Sequence, residues 1–406
     1  MRYRKEALIH SINFFDQSAI LERKERLGLT NEARIELFLW DLEIFCQLYK
    51  RLGDRLVLKG GAAAQLYLPV DWQRTSVDID MICRATEEEI KACLKDIENA
   101  FMGEGDLLKF RPHRPKNAKT ELPLLTFFLM VPSEVITDND NKGVQEIKVE
   151  FFMDMEEWPS LQLKNPEIFA METGGSYMIL KLEAMIADKL TTLGPNTIGI
   201  PDFRRDELCK HLYDLDALLH FPNKGTHNIL EVKDLYKKRA ELECKSRKIA
   251  FNKQKIAADI KEWLNSLFLI DFRKDTQLEK DINDFQSLYL RKAINRGKSQ
   301  WAIIGEKLRF YLANLWIDVP SENVWKEALE LESLLQFNKL EGKARGDAIN
   351  RFKNTFSEAF SKYSISPQKM LKGKNPSRQM WHVISPNNVS EIKNWISLFL
   401  KDLRDL

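Results

Sequence analysis

Residues 57–82, VLKGGAAAQLYLPVDWQRTSVDIDMI, are the stretch from which the fold of this chain is best predicted. The stretch begins as a short apolar strand, breaks at Gly60-Gly61, runs through a helix of small residues and returns as a strand that carries Asp78 and Asp80. Glycine lets the backbone approach an anion closely, and the amides at the start of a helix point outward as donors. The glycine pair therefore predicts a place for phosphate.

The Asp78-Ile79-Asp80 sequence predicts a cation site next to that phosphate. In a strand, residues two apart share a face, so both carboxylates point one way while the apolar residues between and after them point toward a core. Neighbouring carboxylates repel each other unless a cation lies between them, and hard oxygen ligands suit Mg²⁺ or Mn²⁺. A nucleotide held at the glycines would bring phosphate oxygens to the same ion, so the expected chemistry is metal-assisted nucleotidyl transfer.

A third acidic residue is predicted on the strand formed by residues 144–153, VQEIKVEFFM. Lys148, Glu150 and Phe152 would share one face of it. A third carboxylate near the attacking hydroxyl can act as the general base or hold a second metal, and Glu150 is the better placed residue for this. The alternatives are that Glu150 is an exposed strand residue or that Asp154 is the ligand.

Composition and length are those of an ordinary globular protein. A chain of 406 residues is long enough for two or three domains. The net charge of +2 means that any nucleic-acid surface must be a local patch. The N-terminus lacks the apolar core of a secretory signal, and no apolar run approaches the ~20 residues of a membrane span. The five cysteines are scattered, which favours reduced thiols and a cytoplasmic location.

The apolar spacing predicts an α+β fold in two domains. Residues 1–222 would form a mixed sheet flanked by helices, with helices at 5–25, 31–52 and 176–193. Gly225 marks a plausible linker. Residues 226–406 would form an all-helical bundle, because this part has few glycine or proline breaks and keeps a helical apolar period. Its helices are expected at 230–268, 277–315, 321–340 and 344–362, and after Ser385-Pro386.

The order of these features resembles the AbiEii/AbiGii abortive-infection toxin family of the nucleotidyltransferase superfamily. Members carry a Lys-Gly-Gly-Thr-Ala-Leu type entry and an Arg-x-Ser-x-Asp-x-Asp strand, which this chain matches with LKGGAAAQL and RTSVDID. The resemblance implies nucleotide binding by Lys59, Gly60, Gly61, Arg74 and Ser76. The chain departs from the pattern at Ala62, where the family usually has a hydroxyl residue.

The resemblance extends to about residue 220 through three further segments. Related proteins carry Lys-x-Asp or Lys-x-Glu on the strand that here holds Lys148 and Glu150, which implies that Lys148 also binds the nucleotide. The Ala-x-Lys-Leu segment implies that Lys189 contacts nucleotide phosphates. On the next predicted helix, Asp214 would orient Lys189 or complete the acidic site, with a helix cap or a salt bridge to nearby arginines as the alternative. His211 stands where an aspartate is usual.

What the resemblance implies is a toxin of a toxin–antitoxin or phage-defence pair that moves a nucleoside monophosphate from an NTP to an acceptor hydroxyl. The implied cofactor is Mg²⁺ or Mn²⁺, and the implied partners are an NTP, an acceptor RNA such as tRNA, and a cognate antitoxin. The basic segments 111–119 and 369–378 are candidates for RNA backbone contact, or simply solvated surface. Two alternatives are an idle nucleotide-binding protein and a nucleotidyltransferase that acts on an antibiotic.

Overall fold

The structure of the chain is a computed structural model. It describes most of the sequence, namely residues 2–113, 123–136, 143–153, 158–171, 175–316, 320–335, 340–363, 371, 374–384 and 396–397. The chain divides into two compact units. The first comprises Met1–Met185, Glu241–Ala250 and Ile282–Asn295, and the second comprises Ile186–Ala240, Phe251–Asp281 and Arg296–Leu406. These units are defined by compactness, whereas a domain is a part of the chain that folds independently. The predicted domain limits, 1–222 and 226–406, therefore stay a prediction.

The first unit is built on a mixed sheet of seven strands, in the order β3-β4-β5-β2-β1-β7-β6. Their bounds are β1 Leu56–Lys59, β2 Asp78–Cys83, β3 Phe110–His113, β4 Leu124–Pro132, β5 Val144–Met153, β6 Ser160–Lys164 and β7 Ser176–Leu180. The pairs β2·β5 and β1·β7 are parallel, and the other neighbours are antiparallel. The sheet centre thus places β2 between β1 and β5.

Thirteen helices are described along the chain, in addition to short 3₁₀ turns. Their bounds are α1 Gln17–Leu27, α2 Glu32–Leu52, α3 Gly60–Gln65, α4 Glu87–Phe101, α5 Leu182–Leu190, α6 Arg205–His220, α7 Ile229–Ser246, α8 Lys253–Phe268, α9 Thr276–Tyr289, α10 Lys298–Trp316, α11 Glu322–Leu334, α12 Gly342–Tyr363 and α13 Pro376–Ile384. The sheet with its flanking helices and the C-terminal helices confirm the predicted α+β class.

Helix α2 packs against the sheet of the first unit, where it contacts β1, β2 and β5. Every residue from Ile35 to Leu48 on this helix is buried. Asn31 caps the helix, because its side chain accepts a hydrogen bond from the backbone N–H of Arg34. A helix buried on all sides must satisfy or tolerate every polar group that it carries, which matters for the acidic residues described below.

The second unit is helical in its described residues. Helix α10 packs against α6, α8 and α13, and α13 also packs against α12. Large aromatic side chains fill this core, and Trp301, Trp325 and Trp381 are almost fully buried. Several of these contacts join helices that are not neighbours in sequence, such as α6 with α10 and α10 with α13, which accounts for the compactness of the unit.

The structure corrects several predicted elements. Residues Ser176–Leu180, predicted as helix, form strand β7, because they pair with β1 on one side and β6 on the other. The predicted helix 230–268 is divided where Lys248 takes a positive φ and Asn252 caps α8. The predicted helix 277–315 is likewise divided between α9 and α10, and the N-terminal helix begins only at Gln17, after two 3₁₀ turns.

Candidate functional site

Strand β2 positions the two aspartates that the sequence singled out. Asp78 and Asp80 are half-buried, whereas Ile79 and Met81 are buried in the core, so the strand presents its carboxylates on one face and its apolar side chains on the other. The parallel strand β5 lies beside β2 in a register that pairs Asp80 with Glu150. Three carboxylates therefore occur on two neighbouring strands.

Lys148 and Glu150 lie two residues apart on β5 and form an ion pair. The Lys148 Nζ atom is 2.7 Å from Glu150 Oε2, and the Thr126 hydroxyl on β4 donates a hydrogen bond to Glu150 Oε1 at 3.0 Å. In the strand register, Lys148 lies opposite Asp78. The predicted nucleotide-binding lysine and the predicted third carboxylate are thus brought together with the aspartate pair.

The neighbouring carboxylates keep Lys148 protonated, and burial together with the charge of Asp80 makes Glu150 more basic. Burial raises the pKa of Glu150, and the charge of Asp80 raises it further, against the opposing effect of Lys148. Burial alone would lower the pKa of Lys148, but the charges of Glu150, Asp78 and Asp80 outweigh it and raise that pKa. A carboxylate with a raised pKa is a better proton acceptor than an ordinary one, as a general base requires.

The two glycines leave room for the acidic strand and its neighbours. Gly60 has a φ of +72°, and a Cβ built on it would overlap the Asp80 carboxylate. A Cβ on Gly61 would lie 2.9 Å from Ser76 Oγ and 3.0 Å from an Arg74 guanidinium nitrogen. Asp80, Ser76 and Arg74 therefore converge on the backbone of this turn, and only glycine fits at its first position.

Residues 73–76, which lead into β2, are buried and fixed by hydrogen bonds. The Gln73 amide donates to the carbonyls of Gln65, Leu68 and Glu167, and the Arg74 backbone N–H donates to the Gln65 side chain. Thr75 donates to the Tyr289 carbonyl at 3.1 Å. The segment is thus held in place before the aspartates begin.

Tyr289, a residue that sequence reasoning missed, contacts this segment from the end of α9. Its ring centroid lies 5.2 Å from the Arg34 guanidinium and 6.0 Å from that of Arg74. Lys59, at the end of β1, lies with its ammonium 5.8 Å from the ring centroid of Phe152. No local pattern marks Tyr289, because its partners are more than two hundred residues away in sequence.

Asp41 on α2 is the second residue that was missed. It is 1% exposed, and neither carboxylate oxygen has a hydrogen-bond partner in the part of the chain that the structure describes. Burial raises its pKa well above the usual range, and the charges of Asp78 and Asp80 raise it further. The available signal was an aspartate inside the otherwise apolar run LFLWDLEIF.

The second unit brings Lys189 and Asp214 together. Lys189 Nζ on α5 is 2.6 Å from Asp214 Oδ2 on α6, and both side chains are almost fully buried. The predicted role of Asp214 as the residue that orients Lys189 agrees with this pair. Because each charge is buried, each depends on the other for compensation.

The acidic group fits a magnesium ion only with help from substrate. Among the described residues, no three His, Cys, Asp or Glu side chains are grouped so that they could hold a metal ion by themselves. Mg²⁺ is commonly bound by one or two carboxylates, with phosphate oxygens and water completing six ligands. Asp78 and Asp80 can supply that share.

The predicted RNA-contacting segments are only partly described. Arg111 forms an ion pair with Glu146 at 2.7 Å, and residues 114–119 lie outside the described residues, as does Asp154. Of the segment 369–378, Arg378 is buried on α13 close to Asp271 and Glu306, and Lys374 pairs with Asp271. The expectation that Arg378 contacts RNA phosphate is therefore wrong, because acidic residues distant in sequence already surround it.

Comparison with known proteins is consistent with this geometry. None of the described helices has the length and apolar content of a membrane span. No curated protein matches the chain. The family model for the nucleotidyl transferase AbiEii toxin of type IV toxin–antitoxin systems matches residues 47–307, a range that contains every predicted site residue. The chain therefore belongs to the AbiEii family of nucleotidyl transferase toxins.

Proposed function

We propose that this toxin transfers a nucleoside monophosphate from an NTP to an acceptor hydroxyl, with Mg²⁺ or Mn²⁺ as cofactor. The observation that carries the proposal is the register of β2 and β5, which aligns Asp80 with Glu150 and Asp78 with Lys148, next to Gly60, whose lack of a side chain lets its backbone lie against Asp80. Carboxylates that can hold a cation, and a lysine that can attract phosphate, are the minimum that this chemistry requires.

Each predicted site residue in the first unit has a role in this proposal. Asp78 and Asp80 hold the cation, and Lys59, Gly60, Gly61, Arg74, Ser76 and Lys148 bind the nucleotide. When bound, the cation would neutralise charge on the triphosphate and on the departing pyrophosphate. Lys148 would add positive charge next to the phosphates, since its neighbouring carboxylates keep it protonated. For Lys189, the family resemblance implies contact with the nucleotide phosphates, and Asp214 would orient this lysine.

Glu150 is the proposed general base and third carboxylate. The acceptor hydroxyl loses its proton to Glu150 as its oxygen forms a bond to the α-phosphorus, and the bond between that phosphorus and the bridging oxygen to the β-phosphate breaks. The products are a nucleotidylated acceptor and pyrophosphate. A group in this role typically contributes 10²- to 10⁴-fold to the rate, so Glu150→Gln is expected to lower kcat by about that factor.

We further propose an RNA acceptor such as tRNA, an antitoxin as protein partner and a cytoplasmic location. The support is the family's type IV toxin–antitoxin system. The acceptor is tested by incubating the protein with Mg²⁺, each α-labelled NTP in turn, and total tRNA, an aminoglycoside or no acceptor. Label on tRNA that disappears with Glu150→Gln is the expected result. Label on the aminoglycoside alone would replace RNA by a small-molecule acceptor, and NTP binding without any transfer would indicate an idle nucleotide-binding protein.

A further inference from the structure

Helix α2 buries three acidic residues, and one of them, Asp41, has no hydrogen-bond partner among the residues that the structure describes. Glu36 accepts from the Ser133 hydroxyl, the Glu134 backbone N–H and the Gln145 amide. Glu43 accepts from the backbone N–H groups of residues 9 and 10 and from the residue 47 side chain. Asp41, 1% exposed on the same helix, has no such partner among the described residues. The exception is therefore specific to one position of the helix.

The charges around Asp41 disfavour its ionised form in addition to its burial. The two nearby acidic residues whose charges act on it are Asp78 and Asp80, and both disfavour its ionised form. Arg34 acts in the opposite direction, but more weakly than either of them. Helix α2 packs against β2. A buried carboxylate whose ionised form is disfavoured by two further carboxylates is destabilising unless something positively charged or hydrogen-bonding compensates it. A divalent cation at Asp78 and Asp80 would compensate all three.

Direct binding of one ion by all three aspartates does not fit the structure. In the described ranges, no three acidic side chains are grouped closely enough to hold a metal without other ligands. Magnesium, however, usually keeps several of its water molecules, and these donate hydrogen bonds to carboxylates beyond the direct ligands. A carboxylate that has no hydrogen-bond partner among the described residues, on a helix that packs against the strand of the two aspartates, is suited to that position.

We propose that Asp41 is a positioning residue for the cation held by Asp78 and Asp80, and that its carboxylate accepts hydrogen bonds from water bound to that cation. The inference rests on the proposed function, because it requires the cation. It adds to the site a residue from a helix that lies outside the Gly-Gly and Asp-x-Asp segments, and it explains why α2 keeps an acid where its neighbours are apolar. Removing such an outer partner typically weakens metal affinity 10- to 100-fold.

The test measures Mn²⁺ binding by the electron paramagnetic resonance signal of the free ion, and the Tm with EDTA and with saturating Mn²⁺. The variants are Asp41→Asn, Asp41→Leu, Asp80→Asn and, as a matched buried carboxylate on the same helix, Glu43→Gln. We expect Asp41→Asn to raise the Kd for Mn²⁺ at least tenfold while its Tm in EDTA equals or exceeds that of the wild type. Glu43→Gln should do the reverse, with a lower Tm and an unchanged Kd.

The outcomes separate this inference from the proposed function. If the wild type binds Mn²⁺ and Asp80→Asn abolishes binding, but both Asp41 variants bind Mn²⁺ as the wild type does, the positioning role is overturned and the proposed function stands. A lower Tm in EDTA for both Asp41 variants, with an unchanged Kd, would make Asp41 a structural residue. Absence of Mn²⁺ binding by the wild type, both alone and with each non-hydrolysable NTP analogue in turn, would overturn both. Asp41→Leu keeps the test decisive if the asparagine variant does not fold.

Discussion

Gly60 is the residue whose lack of a side chain most directly leaves space for the Asp80 carboxylate on β2. Its φ of +72° disfavours any side chain, and a Cβ there would meet the Asp80 carboxylate. We expect Gly60→Ala to lower the free energy of unfolding by about 1–3 kcal/mol and to abolish nucleotidyl transfer, because Asp80 must move. The measurements are urea unfolding and label transfer.

Gly28 provides the matched control for that substitution. Its φ is +65°, but nothing lies within 4 Å of a Cβ built on it. Gly28→Ala should therefore show the backbone penalty alone and keep full transfer activity. Equal activities of the two alanine variants would contradict the argument that Gly60 makes room for Asp80.

Lys189 and Asp214 form a buried pair whose loss has consequences for stability. Lys189→Met leaves the Asp214 carboxylate buried without its cation, and we expect it to lower the free energy of unfolding by about 3–5 kcal/mol. Combining it with Asp214→Leu should recover much of that loss, because the buried carboxylate that loses Lys189 is then removed as well. Urea unfolding of both single variants and the double variant measures the coupling, and additive losses would contradict it.

Single residues of the site differed in how far the sequence could identify them. Glu150 was predicted because a strand period of two places it on the same face as Lys148. Asp41 and Tyr289 were missed because their roles depend on contacts with residues distant in sequence. A helix pattern shows that Asp41 lies in an apolar run, but it does not show which strand the helix covers.

At the scale of elements, the start of α4 is the clearest case of a local signal. Thr86 accepts a hydrogen bond from the Glu89 backbone N–H, and the Glu89 side chain accepts one from the Thr86 backbone. The segment Thr86-Glu87-Glu88-Glu89 carries the Thr-x-x-Glu pattern of a capping box, so the start of this helix can be recognised from local sequence alone. Thr86→Ala should lower the free energy of unfolding by about 1 kcal/mol in urea unfolding, with Glu88→Ala as control. An equal effect of both substitutions would contradict a capping role.

Strand β7 shows where local signals fail for an element. The sequence of residues 176–193 has a helical apolar stripe throughout, and the structure follows it only from Leu182 onward. The first five residues become a strand because β1 and β6 offer hydrogen-bonding partners on both sides. Pairing between strands that are distant in sequence therefore overrides the local preference.

At the scale of the molecule, acid stability in the second unit is expected to depend on Asp216. Burial alone would raise the pKa of Asp216, but Lys307 and Arg296 outweigh it and lower this pKa to about 2. Arg296 Nη1 is 2.7 Å from Asp216 Oδ2. The folded-state pKa is below the unfolded one, so the stabilisation is complete above about pH 4 and is lost as the pH falls through about 2.

Asp216→Asn should therefore remove this pH dependence, which amounts to about 2 kcal/mol between these limits. It should also lower stability at neutral pH, because Arg296 and Lys307 then lose one of the carboxylates that compensate their buried charges. Unfolding free energies at pH 5 and pH 3 test this, with Asp202→Asn, which breaks an exposed pair with Arg205, as control. Parallel pH slopes for the wild type and Asp216→Asn would contradict the account.

The class of the whole fold was predictable from sequence, because the alternation of strands and the long helical periods are local properties. Which residues belong to each compact unit was harder to predict from sequence. Residues 282–295 lie in the first unit although they are surrounded in sequence by helices of the second. Such an assignment depends on contacts like that of Thr75 with Tyr289, which no local pattern reports.

The central claim is that the aspartate pair on β2 supports nucleotidyl transfer, and the position of the label tests it most directly. The protein is incubated with Mg²⁺, tRNA and the same NTP labelled in turn at the α- and the γ-phosphate, beside Asp80→Asn. The account predicts α-label on RNA, γ-label only in pyrophosphate, and neither product with Asp80→Asn. Transfer of γ-label to the acceptor, or α-label transfer that persists in Asp80→Asn, would contradict it.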